Sequence, residues 1–321
     1  MKILVLAGGE SPEHDVSVLS GIAAARAFTE LGHSVALVDP TRCGKVAFKR
    51  DFSAVRRNFV SAFTRQKHIP IAPELIKAIT EADTVFPALH GGIGENGRLA
   101  ALIECLNVRY SGSSPDSLAL AMDKVRSKMI YERCGIFTPS YTVYTAKSEK
   151  KPIPPRFPCV VKPADGGSSI GVGFVSSPDS LDAAVSEALS VCDTVIMEET
   201  VIGRELSVSV LNDKPLAVTE IIPSGKHYDY ESKYMHGGAR EITPAPLSSE
   251  ITKKALLVAI RAHKALGLKN FSRTDMILQR GTNILFALET NALPGLTETS
   301  ILPEAARTQG ISFRELCSKM L

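Results

Sequence analysis

The chain has 321 residues, 44% hydrophobic and 22% charged, with a formal net charge of +3. That balance is ordinary for a water-soluble globular protein, and the length leaves room for two or three domains with an ample core. It excludes a basic nucleic-acid footprint, and the apolar opening at residues 1–7 is far too short to span a membrane.

The apolar opening runs into Gly8-Gly9-Glu10 without a signal-peptide cleavage pattern. Six cysteines, at 43, 105, 134, 159, 192 and 317, form no Cys-x-x-Cys pair and have no histidines at zinc spacing. Reduced thiols in a cytoplasmic protein are the expectation.

In chain order, a strand at 3–7, a glycine turn and a helix at 16–31 are predicted first. Strands at 34–38 and 84–89, a helix at 97–106 and a short strand at 108–110 complete an alternating α/β unit. Residues 41–72 read as connections and helix. The turn after the first strand is where α/β sheets place ligands. It lacks Gly-x-Gly-x-x-Gly, so no nicotinamide site is expected. Glu13 in that turn either complements a helix dipole or offers a carboxylate to a cationic substrate group. His14 has no evident partner and is expected at the surface.

Beyond residue 115 the pattern changes to α+β. A helix is predicted over 118–133, a buried strand over 158–163, a strand over 172–175, a helix over 180–189 and a strand over 195–199. Antiparallel strands at 205–211 and 215–222, an irregular loop at 224–241 and a helix at 249–266 follow. Lys162 precedes a Gly/Ser loop at 165–171 whose backbone N–H groups could surround an anion, although by itself the loop reads equally as a flexible turn. Glu198 and Glu205 follow an apolar strand; alone they look like surface acids, while acceptors there could also read adenine and ribose. The polar, aromatic stretch 228–234 suits a lid that excludes water.

The most informative segment is Leu285-Phe286-Ala287-Leu288-Glu289-Thr290-Asn291. Strand alternation points Glu289 and Asn291 to one side, and a hairpin through 279–283 lets Asp275 meet them from the neighbouring strand. Three hard oxygen ligands of this kind suit Mg²⁺.

Together these motifs resemble the D-alanine–D-alanine ligase family of the ATP-grasp superfamily. The likeness spans nearly the whole chain, in family order. It runs through Gly8 to Glu13, His90-Gly91-Gly92-Ile93-Gly94-Glu95-Asn96-Gly97, Met122-Asp123-Lys124, the Lys162 to Gly171 loop, Tyr228 to Tyr234, Arg273-Thr274-Asp275 and Glu289 to Ser300. The resemblance implies an N-terminal Rossmann-like substrate domain (1–112), a central ATP-grasp domain (113–197) and a C-terminal ATP-grasp and metal-binding domain (198–321). It implies a reaction in which ATP phosphorylates one D-alanine and the amine of a second attacks the acyl phosphate, supplying peptidoglycan synthesis. A ligase using D-lactate or D-serine second, or a nucleotide sensor without turnover, is the alternative.

On the same basis, Glu13 would hold the first ammonium, with Ser168 and Tyr234 linked to it. Lys124, Lys162 and Lys233 would contact phosphates, and Glu198, Val201 and Glu205 would address adenine and ribose. Arg273 and the Gly295 N–H would stabilise the oxyanion, and Ser300 would bind the second carboxylate. Asp275, Glu289 and Asn291 would hold two Mg²⁺, with Mn²⁺ as a substitute. Two D-alanines and a second copy of the chain, as a homodimer, are the implied partners, with neither nucleic acid nor membrane. Asn96, Ala100 and Ala292-Leu293 depart from the family pattern without removing a catalytic group.

Overall fold

In the computed structural model, which describes residues 1–41, 71–148, 153–223 and 239–321, the chain opens with a parallel sheet. Its strands are β1 (Lys2–Leu6), β2 (Ser34–Val38), β3 (Thr84–Pro87) and β4 (Arg109–Tyr110), in the order β2-β1-β3-β4. Ile3 to Leu6 are wholly buried, as a parallel strand covered on both faces requires. The helices α1 (His14–Glu30), α2 (Pro73–Glu81), α3 (Gly92–Glu95) and α4 (Arg98–Cys105) accompany it.

The single helix predicted over 118–133 is two, α5 (Pro115–Met122) and α6 (Lys124–Arg133). Asp123 leaves helical geometry between them and its side chain accepts the Arg126 N–H. An aspartate that can cap restarts the helix in a new direction, which aims Lys124 toward the following sheet. That sheet joins β5 (Tyr141–Thr145), β6 (Cys159–Pro163), β7 (Gly173–Val175) and β8 (Thr194–Glu199) in the order β5-β8-β6-β7, all antiparallel. With α7 (Leu181–Val191) it has its own small core around Cys159, Val161, Val195 and Met197.

A third sheet, in the order β11-β10-β9-β12-β13, comprises β9 (Gly203–Leu211), β10 (Lys214–Pro223), β11 (Ala239–Ile242), β12 (Phe271–Gln279) and β13 (Leu285–Asn291). It is backed by α8 (Ser249–Ala265), whose Ala255 and Ala259 pack on Val208 and Met276. The pairing of β12 with β13 slips by one residue after Asp275, leaving Leu288 unopposed. This bulge reverses the alternation of β13: Leu285 and Ala287 are buried before it, and Thr290 after it. Glu289 and Asn291 are thereby turned out of the core. Of the last helices, α9 (Ile301–Thr308) packs on β10 and β9 and α10 (Phe313–Met320) on α1, and their Leu302, Leu316 and Met320 share a core with Phe28 and Phe86. Among the described residues no helix is long and apolar enough to cross a membrane.

Candidate active site

A cleft of about 950 Å³ opens where the three sheets meet, and its walls carry Glu13, Lys124, Ser168, Arg273, Glu289, Asn291, Gly295 and Ser300. Glu13 is the residue before α1 and its side chain makes no capping bond. Its carboxylate instead accepts the Ser168 hydroxyl. The loop after β6 comes so near that a Cβ on Gly167 would lie 2.6 Å from Glu13 Oε2. Any larger residue there would displace the Glu13 carboxylate.

His90 and Glu95 line the same cleft, and sequence reasoning did not assign them a role. Burial holds His90 below the usual imidazole value, against the pull of Glu13. The neutral ring donates from Nδ1 to the Leu293 carbonyl at 3.1 Å and meets Ser20 Oγ through Nε2 at 3.1 Å. Ser20 Oγ in turn accepts the Leu296 N–H at 3.2 Å. Glu95 accepts the Gly91 N–H at 2.7 Å and the Leu293 N–H at 3.3 Å. Burial, with help from Glu13, pushes its carboxyl up to about 7. The signal available was the paired His90 and Glu95 in a glycine-rich turn, which can face one site only when that turn is folded tightly.

These contacts pin the segment that bears Gly295. Ser300 precedes α9, and its hydroxyl accepts the Thr297 N–H at 3.1 Å. A Cβ on Gly295 would approach Ser300 Oγ to 2.8 Å, so glycine lets backbone and hydroxyl face one space. His14, expected at the surface, is buried, with Nε2 2.9 Å from Asp39 Oδ2 and Nδ1 3.0 Å from Asp15 Oδ1. Its partner Asp39 lies past the end of β2, on the same sheet edge, and was invisible to local reading.

Asp275 stands opposite Glu289, and Arg273 opposite Asn291. The Asp275 carboxylate takes both arms of Arg273, at 2.9 and 2.7 Å, the Ser207 hydroxyl at 2.6 Å and the Asn291 amide at 3.1 Å. Glu289 lies 3.5 Å from Lys124 Nζ, which also donates to the Gly166 carbonyl at 2.6 Å. All the donors here are hard oxygens on a rigid hairpin, and cations already stand against their charge. The set fits Mg²⁺, for which Asp275, Glu289 and Asn291 would be the protein ligands.

Glu198 is not a surface acid: it is 1% exposed and bridges two lysines. Lys162 Nζ lies 2.7 Å from one carboxylate oxygen and Lys128 Nζ 3.1 Å from the other. Burial opposes the charge on Glu198, but the two ammonium groups outweigh it and hold the carboxyl below its usual value. Lys162 is raised despite burial, by Glu198 first and by Glu289 and Glu205 further off. Val201 is buried just beyond β8, and Glu205 lies on β9. Lys233 and Tyr234 lie outside the described residues.

A mixed α/β chain whose cleft sets Lys124 against the Glu289 hairpin matches a nucleotide-dependent ligase of the ATP-grasp fold. Family models described as D-ala D-ala ligase N-terminus and D-ala D-ala ligase C-terminus match residues 2–113 and 136–321. The chain belongs to the D-alanine–D-alanine ligase family. It is 36% identical to the D-alanine–D-alanine ligase of Gluconobacter oxydans, over 100% of this chain and 98% of that one. The enzyme of the same name from Citrifermentans bemidjiense is 37% identical, over 100% and 95%. The ATP complex of the Bacillus anthracis D-alanine–D-alanine ligase superposes with a TM-score of 0.81 at 26% identity, covering 100% of this chain and 96% of that one. The VanG D-Ala:D-Ser ligase of Enterococcus faecalis gives 0.78 at 26% identity, covering 100% and 98%.

Proposed function

We propose that the chain joins two D-alanines at the expense of ATP, through a D-alanyl phosphate, in the cytoplasm. The observation that carries this reading is the convergence of Glu13, Arg273, Gly295 and Ser300 with Lys124, Glu289 and Asn291 on one cleft. Bound Mg²⁺ would neutralise phosphate charge and favour transfer to a carboxylate. The protein's own groups account for the rest. Glu13, steadied by Ser168, holds the ammonium of the first D-alanine. Lys124 and Lys162 orient the phosphates. The amine of the second D-alanine attacks the acyl carbon, phosphate leaves, and Arg273 with the Gly295 N–H receives the negative charge that develops on the carbonyl oxygen. Ser300 addresses the second carboxylate.

The test is product identification after incubation with ATP, Mg²⁺ and a panel of D-amino and D-hydroxy acids. D-Ala-D-Ala as the dominant product supports the reading; predominant D-Ala-D-lactate rejects it. The likeness to a D-Ala:D-Ser ligase makes D-serine the second reading, and the same panel separates the two. Phosphate release that depends on D-alanine argues against a sensor without turnover. A homodimer, with neither nucleic acid nor membrane as partner, completes the proposal, and light scattering of the purified chain checks its mass.

A further inference from the structure

Lys128 has no solvent exposure, and the phosphate and metal sets described above do not use it. It follows Lys124 by one turn of α6 and shares its face. Its Nζ donates to Thr138 Oγ1 at 2.5 Å, lies 3.1 Å from Glu198 Oε1 and stands 5.7 Å from the centroid of the Tyr141 ring. A buried ammonium so fully partnered does not pay for itself in stability; its removal leaves a buried carboxylate short of a counter-charge.

The two lysines on Glu198 are not equivalent. Lys162 borders the phosphate loop and is 13% exposed at its side chain, whereas Lys128 is shut in at 0%. A nucleotide phosphate arriving at residues 165–171 competes with Glu198 for Lys162. It has no such access to Lys128, which Thr138 holds in place. We propose that Lys128 is a positioning residue for the nucleobase, fixing Glu198 as an ionised acceptor that takes the adenine amino group and rejects 6-oxo purines. This rests on the reading in which Glu198 addresses adenine.

The chemistry follows from what a carboxyl can do. Ionised, it only accepts hydrogen bonds and so matches the 6-amino group of adenine; protonated, it also donates and can serve the 6-oxo group of hypoxanthine. The groups facing Glu198 are Lys128 from α6, Lys162 from β6 and Tyr141 from the paired position on β5. Glu132 acts on Tyr141, Glu289 on both lysines and Glu205 on Lys162. Burial keeps the Tyr141 phenol protonated, so it contributes no charge, and burial lowers Lys128 against the opposing pull of Glu198. When Lys162 is drawn to phosphate, Lys128 is the remaining positive charge in this set.

The experiment is calorimetric binding of ADP and of inosine diphosphate to the intact protein and its variants, from about pH 6 to 8.5, which brackets a raised carboxyl. Wild type is expected to prefer ADP by a ratio that stays flat with pH. In Lys128→Met that ratio falls by about tenfold at the acid end, the worth of one hydrogen bond to a charged group, and recovers as pH rises. Lys128→Gln, which keeps a polar contact with Thr138, shows the same trend if the methionine variant folds poorly, and Lys128→Arg restores the flat profile. Discrimination that survives loss of Lys128 at every pH overturns the proposal alone, as does a wild-type ratio that itself falls on acidification. Equal binding of the two nucleotides by wild type overturns it together with the adenine reading beneath it.

Discussion

Ser168 donates its hydroxyl to the Glu13 carboxylate, joining two residues 155 positions apart in the chain. The bond crosses the cleft from the loop after β6 to the residue before α1. The group proposed to hold a substrate ammonium is thus set by the loop proposed to cover phosphate.

Ser168→Ala removes a hydrogen bond to a charged group, a loss of about 1.5–3 kcal/mol when such a bond is buried. The expected result is a KM for D-alanine raised about tenfold, with far-UV circular dichroism unchanged. Initial rates against D-alanine at saturating ATP check this. An unaltered KM would show that Ser168 does not steady Glu13.

Glu289→Gln keeps volume and removes one charge from the acidic hairpin. Turnover should fall by at least about tenfold, the scale of a disturbed metal site, with thermal unfolding little changed. Measuring rates while Mg²⁺ is varied decides the point. Wild-type turnover at limiting Mg²⁺ would sink the metal assignment.

Arg273 meets Asp275 with two parallel bonds, a geometry that lysine cannot reproduce. Arg273→Lys is expected to lower kcat by about 100-fold, as loss of an oxyanion donor does, with little change in KM for ATP. If KM for ATP rises while kcat holds, Arg273 positions nucleotide instead.

Glu95 carries a pH signature. Its carboxyl rises from 4.5 to about 7 on folding, so between those values the folded protein holds a proton that the unfolded chain has released. The stability contributed by this group is therefore full below the lower value and is lost as pH rises through the upper one. The side chain is largely buried, and a rise of that size corresponds to a loss of about 3 kcal/mol at most. Urea unfolding of wild type and Glu95→Gln across this window should show the variant gaining relative stability as pH rises. A variant that loses stability relative to wild type as pH rises would refute the account.

The sheets and the acidic hairpin were legible because strand alternation and short turns are local signals. The hairpin register was less so: Glu289 faces the cleft only because Leu288 is unopposed, and a bulge leaves no mark in hydrophobic pattern. Short helices such as α9 and α10 owe their place to distant partners, α9 to β9 and β10 and α10 to α1, which no window of sequence contains. Lys128 had a signal in its four-residue spacing from Lys124, but a lysine on a helix is ordinarily solvated. His14 was misread for a similar reason, since its partner Asp39 comes from the end of the neighbouring strand, 25 positions on.

The grip of His90 and Glu95 on Leu293 bears on how this chain can change. The turn that carries Gly295 is tethered to a neighbouring unit as well as to its own sheet, so the two halves matched by separate family models are not interchangeable parts. A chimera that takes its first unit from a relative must bring an imidazole and a carboxyl at the same reach, or the far turn loses its anchor. Recombination in the stretch between residues 113 and 136 without these two groups is expected to misplace Gly295, the proposed oxyanion donor.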